Sequence, residues 1–264
     1  MSYQTLQLGH EGEVATITLN RPERRNAIST PMIEDLLVAL QEVESGPPRV
    51  LILTGSGKAF CAGMDLEALR TLAGQSLEQN LEDSRLFANL LYRIYSFPKP
   101  LIAAVNGAAI AGGCGIATLA DFTLAVPEAK FGYTEVKIGF IPAVVSVFLR
   151  RQTGDKIARD LLISGRTIDA AEAYRLGLVT EIVPAEGLVA RAQEFAGMLL
   201  SASPTSMART KRLLLGYEEP TLKSEMELAI RENASIRSTA DFREGLASFL
   251  EKRTPHWVGR STAE

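Results

Sequence analysis

Histidine is nearly absent from this chain: 264 residues hold two, His10 and His256, each close to an end. That scarcity all but excludes histidine-based nucleophile triads and HExxH-type zinc sites, so acid–base work falls to carboxylates, tyrosine, lysine or cysteine. Cysteine is just as scarce. Cys61 and Cys114 build neither a disulfide framework nor a metal cage, so a reduced, cytoplasmic setting without a metal is expected. Long apolar runs are missing too, since none nears the roughly 20 residues that span a bilayer. Residues 1–10 lack the charged and apolar regions of a signal peptide, and no membrane partner is expected. Positive charge is not in excess. A net charge of −3 and a pI near 5.6 argue against nucleic acid as a partner.

What is present is enough apolar residue, 46% of the chain, to bury one large domain or a domain plus an extension. The organising stretch runs from Lys99 to Pro142. Leu101 to Val105, bounded by Pro100 and Asn106-Gly107, reads as a short buried strand. A small-residue loop follows, and Gly112-Gly113 opens a run to Ala120 that is short enough for one helix. Free backbone N–H groups at a glycine-lined helix start stabilise negative charge on an oxygen. Phe122 to Val126 reads as a second strand, leading to Glu135 in a strand-like apolar stretch between Phe131 and Ile138. A carboxylate there is costly unless paired or used.

Elsewhere, Val14 to Asn20 and Val50 to Thr54 read as strands around a helix capped by Thr30 with Pro31 at its first position. Ile33, Leu36, Leu37, Leu40 and Val43 mark that helix's apolar face. Gly55 to Gly63 reads as a glycine-rich turn, and Glu67 to Arg85 as a mobile helical flap before a firmer helix to Phe97. Helices are expected at Ser146–Gln152, Asp155–Ile163 and Asp169–Leu176, then a strand at Leu178–Val183. Beyond about Glu186 the pattern is helical: one helix from Ser203-Pro204 to Gly216, another from Pro220, and a last from Thr239 to Arg253. Alternating strands and helices imply a repeating α/β unit over residues 1–196, with a helical oligomerisation region over 197–264. The faces carrying Leu213, Leu214, Leu215, Leu228, Ile230, Phe242, Leu246 and Phe249 are too apolar for a solvated tail.

Several motifs have plain readings. Gly55-Ser56-Gly57-Lys58 lacks the phosphate-loop spacing, and Thr118 stands where a dinucleotide fingerprint needs its third glycine. Asp65 and Asp121 read first as helix caps or turn anchors. Arg24-Arg25 reads first as a solvated loop, with a phosphate contact as the second reading.

Five ordered segments carry a resemblance: NRPERRNA (Asn20–Ala27), KAFCAGMDL (Lys58–Leu66), KPLIAAVNGAAIAGGC (Lys99–Cys114), Phe131–Pro142, and REGLASFLEKR (Arg243–Arg253). Over nearly its whole length the chain resembles the crotonase (enoyl-CoA hydratase/isomerase) superfamily. The resemblance implies an α/β spiral of ββα turns with a helical trimerisation region, and a homotrimer or a hexamer of two trimers. It implies an acyl-CoA thioester substrate of fatty acid metabolism and no cofactor beyond the coenzyme A of that substrate. The backbone N–H groups of Met64 and Gly112 would hold the thioester oxygen, and Glu135 would act as base and acid. Arg25, Ala27, Ala62, Asp65 and Leu66 would lie along the CoA moiety, with Phe249 and Lys252 arriving from the C-terminal helix. Gly113, Gly115 and Thr134 would be further substrate-binding residues. Hydratases of the family commonly use two glutamates, and Gly115 stands where the first would be. It is expected to leave room beside the acyl α-carbon. Ala143 likewise replaces a glycine of the usual hydratase motif. Thr134 to Arg151 is most similar to branched-chain catabolic hydratases. The leading expectation is hydration of a 2-enoyl-CoA, with a straight or a branched acyl group. The alternatives are a single-glutamate Δ3,Δ2-enoyl-CoA isomerase and a non-catalytic CoA-binding scaffold.

Overall fold

The computed structural model describes residues 3–72 and 74–257, with only the backbone of Leu66. Two sheets organise it, and the chain alternates between them. The hairpin β1 (Leu6–Glu11) and β2 (Val14–Leu19) is followed by helix α1 (Thr30–Ser45). Each following turn adds a strand to each sheet: β3 (Val50–Gly55) then β4 (Ala59–Cys61), and, after helices α2 (Leu66–Leu72) and α3 (Leu77–Tyr95), β5 (Leu101–Val105) then β6 (Ala108–Ile110). Helix α4 (Gly112–Thr118) leads into the third such pair, β7 (Phe122–Ala125) and β8 (Lys130–Gly132). Then come α5 (Ala143–Thr153), α6 (Asp155–Ser164), β9 (Thr167–Asp169), α7 (Ala170–Arg175) and β10 (Glu181–Ile182). Helices α8 (Leu188–Leu200), α9 (Pro204–Ser235) and α10 (Ala240–Glu251) close the chain.

The larger sheet runs β1-β2-β3-β5-β7-β10, parallel from β2 onward; the smaller runs β4-β6-β8-β9. All five residues of β5 are buried, as befits a parallel strand covered on both faces. The Asp121 carboxylate fixes its start by accepting from Leu101 N at 2.8 Å, and Lys211 pairs with the same oxygen. The anchoring reading of Asp121 fits this geometry.

Several expectations change. The α1 cap is Ser29, whose hydroxyl accepts from Met32 N, so Thr30 already lies inside the helix. The glycine-rich turn contains β4, because Phe60 and Cys61 are buried in the second sheet. The expected flap holds α2 and the first half of α3, which starts at a Ser76–Gln79 capping box. The strand expected over Leu178–Val183 shrinks to β10. The largest correction is α9. Gly216 does not end a helix and Pro220 does not start one, since both lie inside a continuous Pro204–Ser235. Leu222, Met226, Ala229 and Ile230 bury one face of it against α3 and α5. Arg151 binds Glu218 and Glu225 on either side of the proline. Packing on both flanks outweighs the roughly 3 kcal/mol that an internal proline costs. Among the described residues no helix is long and apolar enough to cross a membrane.

Candidate active site

A loop that looks merely polar is the first support of the site. Arg25 and Asn26 both adopt positive φ, 51° and 54°. Asn26 is fully buried and holds the turn from inside. Its Oδ1 accepts from Arg21 N at 2.9 Å, and its Nδ2 donates to the carbonyls of Ser56 and Ala59 at 2.9 Å each. The Arg21 guanidinium donates to Ala27 O (2.7 Å) and to Asp65 Oδ2 (2.9 Å). Asp65 Oδ1 in turn accepts from Glu67 N, capping α2. This clamp sets Ile28 beside Met64 in a parallel bridge. Ile28 N donates to Gly63 O and Asp65 N to Ile28 O, so the Met64 N–H points away from Ile28.

The glycine corner is the second support. Ala111 N donates to Gly132 O at 2.7 Å, tying the corner to β8. Ala111 then takes φ 51°, ψ −126°, a sparsely populated conformation that costs a non-glycine residue about 1–3 kcal/mol. Gly112 opens α4, where an N–H has no intrahelical partner. Among the described residues neither the Met64 nor the Gly112 N–H donates to another protein group.

Glu135 is the third. It does not lie in a strand but opens a 3-10 turn, Glu135–Ile138, closed by Gly139 at φ 66°. A strand is barred because α10 presses directly on this turn. A Cβ on Gly139 would strike the backbone of Asp241, and one on Gly245 the backbone of Ile138. The Glu135 side chain is 8% exposed, and its Oε2 has no hydrogen-bond partner. Burial raises its pKa from 4.5 to about 7, opposed only by a hydrogen bond from its own backbone. Near neutrality both protonation states are populated. The thiols do not compete for the role: burial pushes Cys61 and Cys114 each up to about 12.

These supports meet in a cavity of about 730 Å³. Glu135, Met64, Gly112, Arg25, Ala27, Ala62, Asp65, Thr134 and Phe249 all line it. Lys252, Gly113 and Gly115 do not. Lys252 is the exposed C-cap of α10. Gly113 faces Cys61, whose Sγ lies 2.7 Å from where a Cβ would sit. Gly115 meets Val145 Cγ1 at 2.7 Å in the same way, so the room expected beside the acyl group is filled by Val145, itself on the cavity wall. Leu66 opens α2, and its side chain lies outside the described residues. The wall also holds Phe87, Phe140, Val145, Asn233 and Arg237, which the sequence pattern does not single out. Arg237 is visible in the sequence only as a charge next to an apolar helix face. Among the described residues no group of three His, Cys, Asp or Glu is placed to hold a metal.

Comparison with known proteins shows the family and the fold. Residues 9–260 match the family described as Enoyl-CoA hydratase/isomerase. The chain belongs to that family. A Thermus thermophilus protein assigned as an enoyl-CoA hydratase is 45% identical over 248 residues, 94% of this chain and 98% of the relative. A Rhodobacter capsulatus protein named probable enoyl-CoA hydratase is 37% identical over 98% of this chain and all of its own length. The crystal structure of an enoyl-CoA hydratase/isomerase from Xanthobacter autotrophicus Py2 superposes with a TM-score of 0.87 at 30% identity, covering 96% of this chain and 98% of that one. The resemblance read from five sequence segments therefore holds for the whole fold.

Proposed function

We propose that the chain is an enoyl-CoA hydratase adding water reversibly across the double bond of a 2-enoyl-CoA. The observation that carries this is Glu135, a buried carboxylate on the cavity wall with an unpartnered oxygen and a pKa near 7. Ionised, it takes a proton from water as the oxygen bonds to C3. The electron pair of the double bond moves to the thioester oxygen as an enolate, which the Met64 and Gly112 N–H groups receive. Glu135, now protonated, delivers that proton to C2 on the same face, and the carboxylate is restored. One O–H bond of water is broken, and one C–O and one C–H bond are formed. No cofactor enters the sequence. Ala27, Ala62 and Arg25 are assigned to the CoA moiety and Thr134 to the acyl group.

A second reading has its own support. Of the acids lining the cavity, Glu23 is exposed and Asp65 is tied to Arg21, which leaves Glu135 as the single buried acid without a partner. One carboxylate suffices to shuttle a proton between C4 and C2 in a Δ3,Δ2-enoyl-CoA isomerase. Incubation with 2-enoyl-CoA and 3-enoyl-CoA, followed by mass analysis, decides. Gain of one water marks the hydratase, mass-neutral conversion marks the isomerase, and neither change sinks both readings and leaves a binding scaffold.

The proposed assembly is a trimer or hexamer working in a reduced, cytoplasmic compartment. Leu213, Leu214, Tyr217 and Leu228 of α9 are each more than half exposed. By contrast Ile230, Phe242 and Leu246 are used up in the chain's own cores. Sedimentation at micromolar concentration should show the oligomer; a monodisperse monomer would defeat this reading.

A further inference from the structure

One part of the cavity wall is built for something other than hydrocarbon. Asn233, from the last turns of α9, and Arg237, from the 3-10 turn after it, both line the cavity. Arg237 is 2% exposed, the largest fully buried side chain of the described residues. A guanidinium so buried is tolerated only with partners, and an apolar acyl pocket gains nothing from it.

The partners account for only part of its donor set. Nη1 donates to Asn80 Oδ1 at 3.1 Å, and Nη2 to Asn233 Oδ1 at 2.8 Å and Ser84 Oγ at 3.1 Å. Asp83 Oδ2 sits 2.8 Å from Nη2 but makes no aligned hydrogen bond with it. The Nε–H has no partner at all although it is buried. The hydrogen bonds of the buried Asn233 run through its Oδ1, to Arg237 Nη2 and Ser84 Oγ, and use none of its Nδ2 donors. Docking α9 against α3 explains the Nη bonds; it leaves these two donors unexplained. The Arg237 Cζ lies over the Phe140 ring, 5.7 Å from its centroid. Asp83 stands behind the arginine and does not line the cavity, whereas Lys137 does and has no acidic partner among the described residues. This part of the wall therefore offers donors; the unpartnered acceptors near it are Asp83 Oδ2, ion-paired with Nη2, and Glu135 Oε2 of the candidate reacting centre.

We infer that Arg237 and Asn233 form a subsite for a carboxylate at the remote end of the acyl chain. The preferred substrate is then the coenzyme A monothioester of an unsaturated dicarboxylic acid. This rests on the acyl-CoA reading of the same cavity. The carboxylate accepts from Nδ2 of Asn233 and pairs with the Arg237 guanidinium, whose buried Nε–H has no other partner, while Asp83 keeps its ion pair with Nη2.

The test uses the full chain and matched pairs of straight-chain 2-enoyl-CoAs, equal in length, one ending in methyl and the other in carboxylate. For at least one chain length, kcat/KM for the carboxylate member should exceed that of its methyl partner by about tenfold or more, the scale of a charged hydrogen bond. In Arg237→Met that ratio should fall below one, chiefly through KM of the carboxylate substrate, while Arg237→Lys keeps part of it. If Arg237→Met does not fold, Asn233→Leu reads the same ratio, and the wild-type comparison needs no variant. A wild type that hydrates the methyl member as well or better at every length overturns the inference, as does a folded Arg237→Met with an unchanged ratio. If neither member is hydrated, the hydratase reading fails instead. Calorimetric binding of the same pairs then decides the subsite alone, with equal affinity counting against it.

Discussion

Glu135 and Arg237 line one cavity, and each is more than nine-tenths buried. Their surroundings treat them in opposite ways. Glu135 is held by its backbone: the 3-10 turn, Gly139 and the pressure of α10 fix it, while its carboxylate is left with a bare oxygen. Arg237 is held by its side chain, through a web of Asn80, Ser84 and Asn233. The carboxylate proposed to gain and lose a proton is fixed from behind and left chemically unsatisfied. The guanidinium proposed to meet a carboxylate is bound at its head. The first arrangement lowers stability for reactivity, and the second spends polar contacts on shape.

The widest break in this contrast comes from removing the proton acceptor. Glu135→Gln keeps the shape of the turn, so turnover should fall by at least roughly 10²–10⁴ while CoA-ester binding survives. Activity within a few-fold of wild type would make Glu135 structural.

A second break exploits the raised pKa. Between pH 4.5 and about 7 the folded chain holds a proton on Glu135 that the unfolded chain has released. More protons are bound in the native state, so stability falls as pH rises through that window, by up to about 3 kcal/mol. Denaturant unfolding should therefore find Glu135→Gln more stable than wild type near pH 8, with the gap shrinking toward pH 4.5. Equal gaps at both ends would mean the carboxylate is solvated.

Smaller effects should follow at Gly115. An alanine there gains about 0.5–1 kcal/mol of helix propensity but drives its Cβ into Val145 Cγ1 at 2.7 Å. Valine is stiff at χ1 and cannot swing aside, so Gly115→Ala should lose about 1–3 kcal/mol net. Val145→Ala in the same chain should recover most of it. An additive double mutant would show that the two residues do not touch. Smallest of all, Arg25→Ala at the exposed rim should raise KM for the CoA ester a few-fold and leave kcat less changed. A pure kcat effect would move Arg25 from binding to chemistry.

The sequence makes one side of the cavity readable and hides the other. Glu135 stands out because a charge amid apolar neighbours has few uses, and the glycine corner stands out because small residues mark close backbone approach. Arg237 and Asn233 look like the solvated face of a helix. Their burial comes from α3, about 150 residues earlier in the chain, which local pattern does not report. Pro220 misleads for the same reason: its local meaning is a helix start, and contacts on both flanks overrule it. Gly115 reads as empty space because the sequence does not show that Val145 fills it. Asn26, fully buried in a run of charged residues, is the subtlest case.

The pressing of α10 on the Glu135 turn bears on how the protein comes off the ribosome. Met64, Gly112 and Glu135 are all translated before the helix that buries the turn. Until Ala240–Glu251 emerges and its Gly245 seats against Ile138, the Glu135 turn lacks the helix that packs against its far end. A nascent or C-terminally clipped chain therefore carries the candidate site residues and lacks the support that holds the Glu135 turn in place. The turn is thus local in sequence but completed by a helix about 100 residues later, so its final shape waits on the end of the fold.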